Sequence, residues 1–279
     1  MEYYELLGLK VEPFNLAADP YFFYPSKEHK ECLERLEISV RLRQGLNIIL
    51  GDIGTGKTTL METLKTLLST DPSERYIIRT IYDPSFKSEF QFLSKLASLY
   101  DIKTEMRSTI GFKESVKNYL FDKGVNDNKI VTLVIDEGQK LTPTFLEALR
   151  VFLNYQTPDF FLINIVIFAQ MEFLPKIRRK RSFLDRTAVS YVLNPLNLDD
   201  TKRMVEYRLE KAGLDVKTKP IFSDKAYELL FKYSKGKPRK ICKICKNALM
   251  DLVLQGRENS LITPDIIEKI VSSEVWKFD

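Results

Sequence analysis

Apolar positions along the chain fall into two regimes. Between residues 47 and 168, short uninterrupted apolar runs alternate with stretches whose apolar positions recur every three or four residues, the signatures of buried strands and amphipathic helices. The runs Asn47 to Leu50, Tyr76 to Ile81, Lys129 to Ile135 and Ile163 to Phe168 predict strands. Between them, Thr58 to Leu68, Ser88 to Leu99, Ile110 to Phe121 and Leu141 to Tyr155 predict helices. Lys129 to Ile135 is nearly all apolar and β-branched, as expected of a central strand covered by helices on both faces. Strand and helix alternate without a repeat, which argues for a three-layer α/β/α core with a mostly parallel sheet.

The flanks read differently. A helix starts after Ser26, a residue suited to capping, with Cys32, Leu33, Leu36 and Val40 at helical spacing and Gly45 at its close. The residues before it are rich in rings and prolines, among them Tyr3, Tyr4, Phe14, Pro20, Phe22 and Pro25, and predict an ordered arm packed by its aromatics. Beyond Asn194 the strand signal fades, and Asp199 to Ala212, Ser223 to Tyr233, Pro238 to Val253 and Thr263 to Val271 all read as helices. The expected organisation is an arm over 1–26, an α/β core over 27–193 and a small all-helical domain over 194–279.

Composition narrows the class. With 44% hydrophobic and 29% charged residues in 279, the chain reads as an ordinary globular protein, not a disordered or collagen-like one. Three cysteines cannot staple a chain of this size. The opening residues lack a basic region and cleavage site, and the longest apolar stretch, Phe160 to Met171, is too short to span a bilayer, so a cytoplasmic protein with no span of its own is expected. A net charge of +5 does not by itself announce nucleic acid, but its distribution is uneven. Six basic residues and one acid fall between Lys176 and Arg186, and seven basic residues with no acid between Lys232 and Lys246.

The chemistry concentrates at strand ends. Gly51-Asp52-Ile53-Gly54-Thr55-Gly56-Lys57-Thr58 follows a strand and opens a helix, and Thr59 continues it. In that context glycines let backbone N–H groups wrap phosphates, Lys57 reaches the β and γ oxygens, and Thr58 ligates magnesium. Asp136, at the end of a buried strand, can hold the magnesium shell, and Glu137 can orient or deprotonate the attacking water. Two adjacent acids argue for hydrolysis of ATP over passive binding. Gln170, after another strand, could meet the γ-phosphate or the lytic water. Arg239 starts a helix after Gly236-Lys237-Pro238, from where its guanidinium could fold back over the phosphates. Arg186 could act in cis, across a subunit boundary or on nucleic acid. Lys176, Arg178, Arg179, Lys180 and Arg181 are candidate nucleic-acid contacts. Cys242 and Cys245 have the spacing of a zinc half-site, but no second pair exists, and their place on an apolar helix face reads as buried core thiols.

Together these motifs resemble the AAA+ ATPases of the general secretion pathway protein A type (GspA/ExeA), over nearly the entire length. Tyr3-Tyr4-Glu5-Leu6-Leu7-Gly8-Leu9, Pro13-Phe14 and Asp19-Pro20 to Tyr24 look like that family's N-terminal signature. The resemblance implies a P-loop core followed by a helical AAA+ lid. In it, Asp136-Glu137-Gly138-Gln139 matches the Walker B run, Gln170 sensor 1, and Gly236-Lys237-Pro238-Arg239 sensor 2. Arg186 becomes the arginine-finger candidate, with Arg178, Arg179 and Arg181 as competitors. Gly138 departs from the alanine common in that motif, and is expected to cost a little helix propensity.

Two outputs follow from the resemblance. The first is an ATP-dependent homo-oligomer, a ring or filament, acting with a membrane-embedded partner in secretion or pilus assembly. Members acting in secretion continue into a transmembrane helix and a periplasmic wall-binding domain, neither of which precedes Asp279, so the chain reads either as a truncated portion or as a free-standing relative. Free-standing relatives include the transposition ATPases of TnsC, TniB and MuB type, which implies the second output: binding to double-stranded DNA and recruitment of a transposase.

Overall fold

A computed structural model describes residues 2–104 and 108–272; Met1 and 273–279, the extremes of the expected arm and helical domain, lie outside them. In chain order the elements are α1 (Tyr3–Leu6), α2 (Lys27–Arg41), β1 (Leu46–Gly51), α3 (Lys57–Ser69), β2 (Tyr76–Ile81), α4 (Glu89–Leu99), α5 (Thr109–Phe121), β3 (Ile130–Ile135), α6 (Pro143–Phe152), β4 (Asn164–Ala169), α7 (Phe173–Arg178), α8 (Arg181–Leu184), β5 (Thr187–Leu193), α9 (Leu198–Lys211), α10 (Asp224–Ser234), α11 (Pro238–Leu254) and α12 (Pro264–Ser272). They form two units. One comprises His29–Asp52 and Leu60–Leu193; the other comprises Met1–Glu28, Ile53–Thr59 and Asn194–Asp279, as far as these are described.

The first unit is built on a five-stranded sheet in the order β2-β3-β4-β1-β5. All of its pairings are parallel. β1, β3 and β4 are buried at every position, which requires cover on both faces and explains their unbroken apolar runs. One side of the core gathers Phe92, Phe112, Phe145, Phe152 and Phe173, with Phe92 and Phe145 stacked at 5.0 Å. The ends of the helices follow local chemistry. Ser88 and Ser108 accept backbone N–H bonds as caps of α4 and α5.

Several elements depart from the sequence expectation, among them the short helices α7 and α8, which it did not include. β5 was not among the expected strands. It is an edge strand paired only with β1, and its alternating exposure leaves Thr187 and Ser190 among the apolar residues instead of a continuous run. α6 is shorter than Leu141 to Tyr155, because Leu141 closes a 3₁₀ turn at Gly138–Lys140, while Thr142 caps and Pro143 opens the helix. α5 continues into a π-helical turn at Asp122–Asn126, which the periodicity does not announce.

In the second unit the N-terminal arm and the C-terminal helices share one core. Leu7, Leu9, Phe14 and Phe22 pack with Met204, Leu209, Ile241 and Leu249. Full burial of a ring such as Phe14 stabilises the unit by about 1.5–3 kcal/mol. Polar ties fix the arm as well. Arg208 donates to the carbonyl of Pro13 at 3.0 Å, and its guanidinium lies 5.4 Å from the centre of the Phe22 ring. The Tyr21 hydroxyl donates to the carbonyl of Lys211, Tyr24 donates to Asp200, and Lys246 pairs with Glu12.

The turn between α10 and α11 carries its own constraint. Gly236 has φ +69°, and its carbonyl accepts the Leu196 N–H at 2.8 Å. A β-carbon there would lie 1.8 Å from the Leu196 carbonyl oxygen, so no side chain fits without moving backbone. Gly236→Ala is expected to lower unfolding free energy by about 3 kcal/mol, read from urea denaturation, and an unchanged midpoint would show that the turn yields.

Candidate functional site

The phosphate-loop residues begin where β1 ends and close where α3 starts. Gly54 and Gly56 both adopt positive φ, +81° and +96°, the conformations that turn successive backbone N–H groups toward one concavity. Thr55 is fully buried and Lys57 is only 9% exposed. A lysine so enclosed is held for a nearby anion more often than for solvent. Arg239 stands beside this loop. Its N–H, one of the donors left unsatisfied at the start of α11, bonds to the Gly54 carbonyl at 3.3 Å. A β-carbon on Gly54 would lie 3.2 Å from that of Arg239 and 3.9 Å from that of Lys237, so the loop glycine and the α11 start are matched in shape.

The carboxylates sit at the end of β3. Asp136 is buried at 6% exposure, and its N–H continues the ladder to the Ile81 carbonyl at 2.9 Å. Its Oδ1 accepts the Glu137 N–H at 2.8 Å. Glu137 itself is left-handed, at φ +51° and ψ +37°, a conformation that costs a β-carbon-bearing residue roughly 1–2 kcal/mol and that Arg43, Glu74, Asp101, Asn128 and Lys235 also adopt. Its carboxylate accepts from Gln139 Nε2 at 2.6 Å, while Gln139 Oε1 accepts the Gln170 N–H at 3.0 Å. Lys176 Nζ donates to the Gln139 carbonyl. The adjacent Lys140 pairs with Asp83 at 2.9 Å.

Gly138 corrects the expectation of a small propensity cost. It lies in a 3₁₀ turn pressed onto β4, where a β-carbon would be 2.4 Å from Ile167 Cγ2 and 3.1 Å from the Ala169 β-carbon. Glycine here permits the close approach of the turn to the strand, and alanine would have to displace it.

The basic segment is divided in its engagement. Lys176 is tied to Gln139, whereas Arg178, Arg179 and Arg181 are exposed on α7 and around α8, with Lys180 partly covered between them. Arg186 is half-buried, donating to the Ser182 carbonyl and to Asn154 Oδ1 at 2.8 Å. Cys242 and Cys245 face the core of α11, and burial pushes both thiols up; Cys32 is likewise raised, to about 12. Among the described residues no cluster of histidine, cysteine and carboxylate side chains could hold a metal ion, and no helix is long and apolar enough to cross a membrane.

Sequence reasoning therefore named Asp136, Glu137, Gln170 and Lys176 separately, and the structure joins the last three through Gln139. In the sequence Gln139 stands out only as part of the Asp136-Glu137-Gly138-Gln139 run. The usable signal was an amide two residues after an acidic strand end, a spacing at which a tight turn brings side chains back together.

Known proteins frame these observations. Residues 40–177 match the family model described as an AAA domain. General secretion pathway protein A of Aeromonas hydrophila is 30% identical over 257 residues, 91% of this chain but 45% of that protein, so the chain spans less than half of that relative's length. Among solved structures, the ORC2 protein of Aeropyrum pernix aligns over 89% of this chain and 68% of its own, with 18% identity and a TM-score of 0.65. The ORC1 protein of the same organism, solved in complex with DNA, aligns over 86% and 64% with 16% identity and a TM-score of 0.62. At such identities the two structures speak for the fold.

The Gly138 geometry carries a stability prediction. Gly138→Ala is expected to cost about 1–3 kcal/mol by overpacking against Ile167, measured as a lowered thermal midpoint. An unshifted midpoint would mean that the turn moves off β4 at no cost.

Proposed function

We propose that this chain, which matches an AAA domain over residues 40–177 and is similar to general secretion pathway protein A, hydrolyses ATP and couples the nucleotide cycle to assembly with copies of itself and remodelling of a cell-envelope secretion or pilus partner. One observation carries the hydrolytic part: the adjacent acids Asp136 and Glu137 follow a fully buried strand, with the Asp136 carboxylate accepting the Glu137 N–H, in a chain with a complete phosphate loop.

Each residue has a role in this reading. The loop from Gly51 to Thr59 supplies N–H groups to the phosphates, and Lys57 supplies a positive charge to the β and γ oxygens. Thr58 and Asp136 offer a hydroxyl and a carboxylate, the hard oxygen donors that suit magnesium. When bound, magnesium neutralises phosphate charge that the protein would otherwise meet alone. Glu137 orients a water for in-line attack and receives its proton. Gln170 lies one residue past β4, where its amide would face the γ-phosphate or that water. Arg239 stabilises charge from the start of α11. Arg186 would complete the site of a neighbouring copy after leaving Asn154 and Ser182.

A second reading is a DNA-directed ATPase of the TnsC type that recruits a transposase. The observation favouring it is the exposure of Arg178, Arg179 and Arg181 within one short segment, a pattern suited to phosphate backbones. The envelope reading stands first because the relative that matches most of this chain is a secretion protein by name.

The two readings separate experimentally. Lys57→Ala is expected to abolish tight ATP binding, whereas Glu137→Gln is expected to keep binding and accumulate an ATP-bound assembly; unchanged hydrolysis in the latter would remove the role given to Glu137. Duplex DNA binding, followed by fluorescence anisotropy with and without ATP at about 50 and about 200 mM salt, assigns the output. Absence of binding with hydrolysis intact supports the envelope reading. ATP-dependent, salt-sensitive binding with filament growth supports the DNA-directed one.

A further inference from the structure

The Gln139 side chain is 5% exposed and has both ends of its amide committed. Oε1 faces a fixed backbone donor, the Gln170 N–H, so Nε2 must face the Glu137 carboxylate, and the orientation of the amide is set by its partners. Its main-chain carbonyl is held in turn by Lys176 Nζ. Gln139 is therefore fastened at three points, while Glu137 has one carboxylate oxygen occupied by it.

We infer that Gln139 is a positioning residue for the water-activating step, aiming Glu137 through its Nε2–H, with Lys176 as the anchor that keeps the Gln139 main chain in place. The inference rests on the hydrolytic reading of Glu137. A glutamate with three side-chain torsions and a strained backbone has many unproductive orientations, and a short charge-assisted hydrogen bond from a buried amide removes most of them. The bond takes Oε2 alone, leaving Oε1 to accept from a water. No proton moves through Gln139, whose amide only donates a hydrogen bond.

A structural role is the competing explanation, since Gln139 also satisfies the Gln170 N–H next to β4. Two substitutions distinguish them. Gln139→Glu keeps length and the acceptor facing Gln170 but sets a second carboxyl group against Glu137, and two carboxyls so close share a proton. Gln139→Met keeps volume and loses both bonds. The measurements are steady-state hydrolysis, affinity for a fluorescent ATP analogue, and hydrogen exchange of the peptide containing Gln170.

Both variants are expected to lose about 10-fold or more in kcat with nucleotide affinity held within about threefold, the signature of an interaction that matters only during the chemical step. Gln170 exchange should rise in Gln139→Met and stay near wild type in Gln139→Glu. Lys176→Ala should lower kcat less, by about threefold, and add little on top of Gln139→Met. A Gln139→Met variant with wild-type kcat would overturn the inference and leave Gln139 a structural residue. Equal losses of kcat and nucleotide affinity would do the same. Wild-type protein that binds ATP without turnover would instead sink the hydrolytic reading, an outcome read before any variant is made.

Discussion

The parallel register of three neighbouring strands is the constraint on which the candidate site at the edge of the sheet depends. β1 pairs with β4 through Leu50 and Ala169, and β3 pairs with β4 through Ile135 and Ile167. Parallel strands all finish on the same edge, so Gly51, Asp136 and Gln170 leave the sheet there in adjacent strands, within a few residues of one level. A slip of one residue would turn every side chain to the opposite face, and burial of all three strands on both faces makes such a slip costly. The polar residues past the strand ends are positioned by apolar residues that take no part in chemistry.

That division explains what was legible in the sequence. The strand at Ile130–Ile135 was readable because its apolar run is dictated by burial on both faces, and the phosphate loop because its glycines are dictated by backbone conformation. β5 was not, because an edge strand needs only one partner and tolerates Thr187 and Ser190. The start of α6 was misplaced because Leu141 is apolar for reasons of burial yet belongs to a turn, so periodicity and helix membership part there. The candidate residues themselves were named one at a time. Their relation was not, since it runs through an amide whose importance lies in what it touches.

Gly138 shows the same limit from the other side. Judged by propensity, glycine in place of alanine is a mild loss. Judged by contact, it is the residue that lets the turn after Asp136 approach β4 closely enough for Gln139 to reach the Gln170 N–H. A propensity scale contains no term for the distance to a neighbouring strand.

These departures from local preference are consecutive: a left-handed Glu137, a glycine that admits no β-carbon and a buried Gln139. Each would be unfavourable in isolation. Strain of this kind persists only where the surroundings over-determine the conformation. Here β3 fixes one end through the Asp136 N–H bond to Ile81, β4 presses on the turn, and the Lys140–Asp83 and Lys176–Gln139 links hold the outgoing chain. Lys176 comes from the basic segment, so its bond to the Gln139 carbonyl also places that segment one side chain away from the turn.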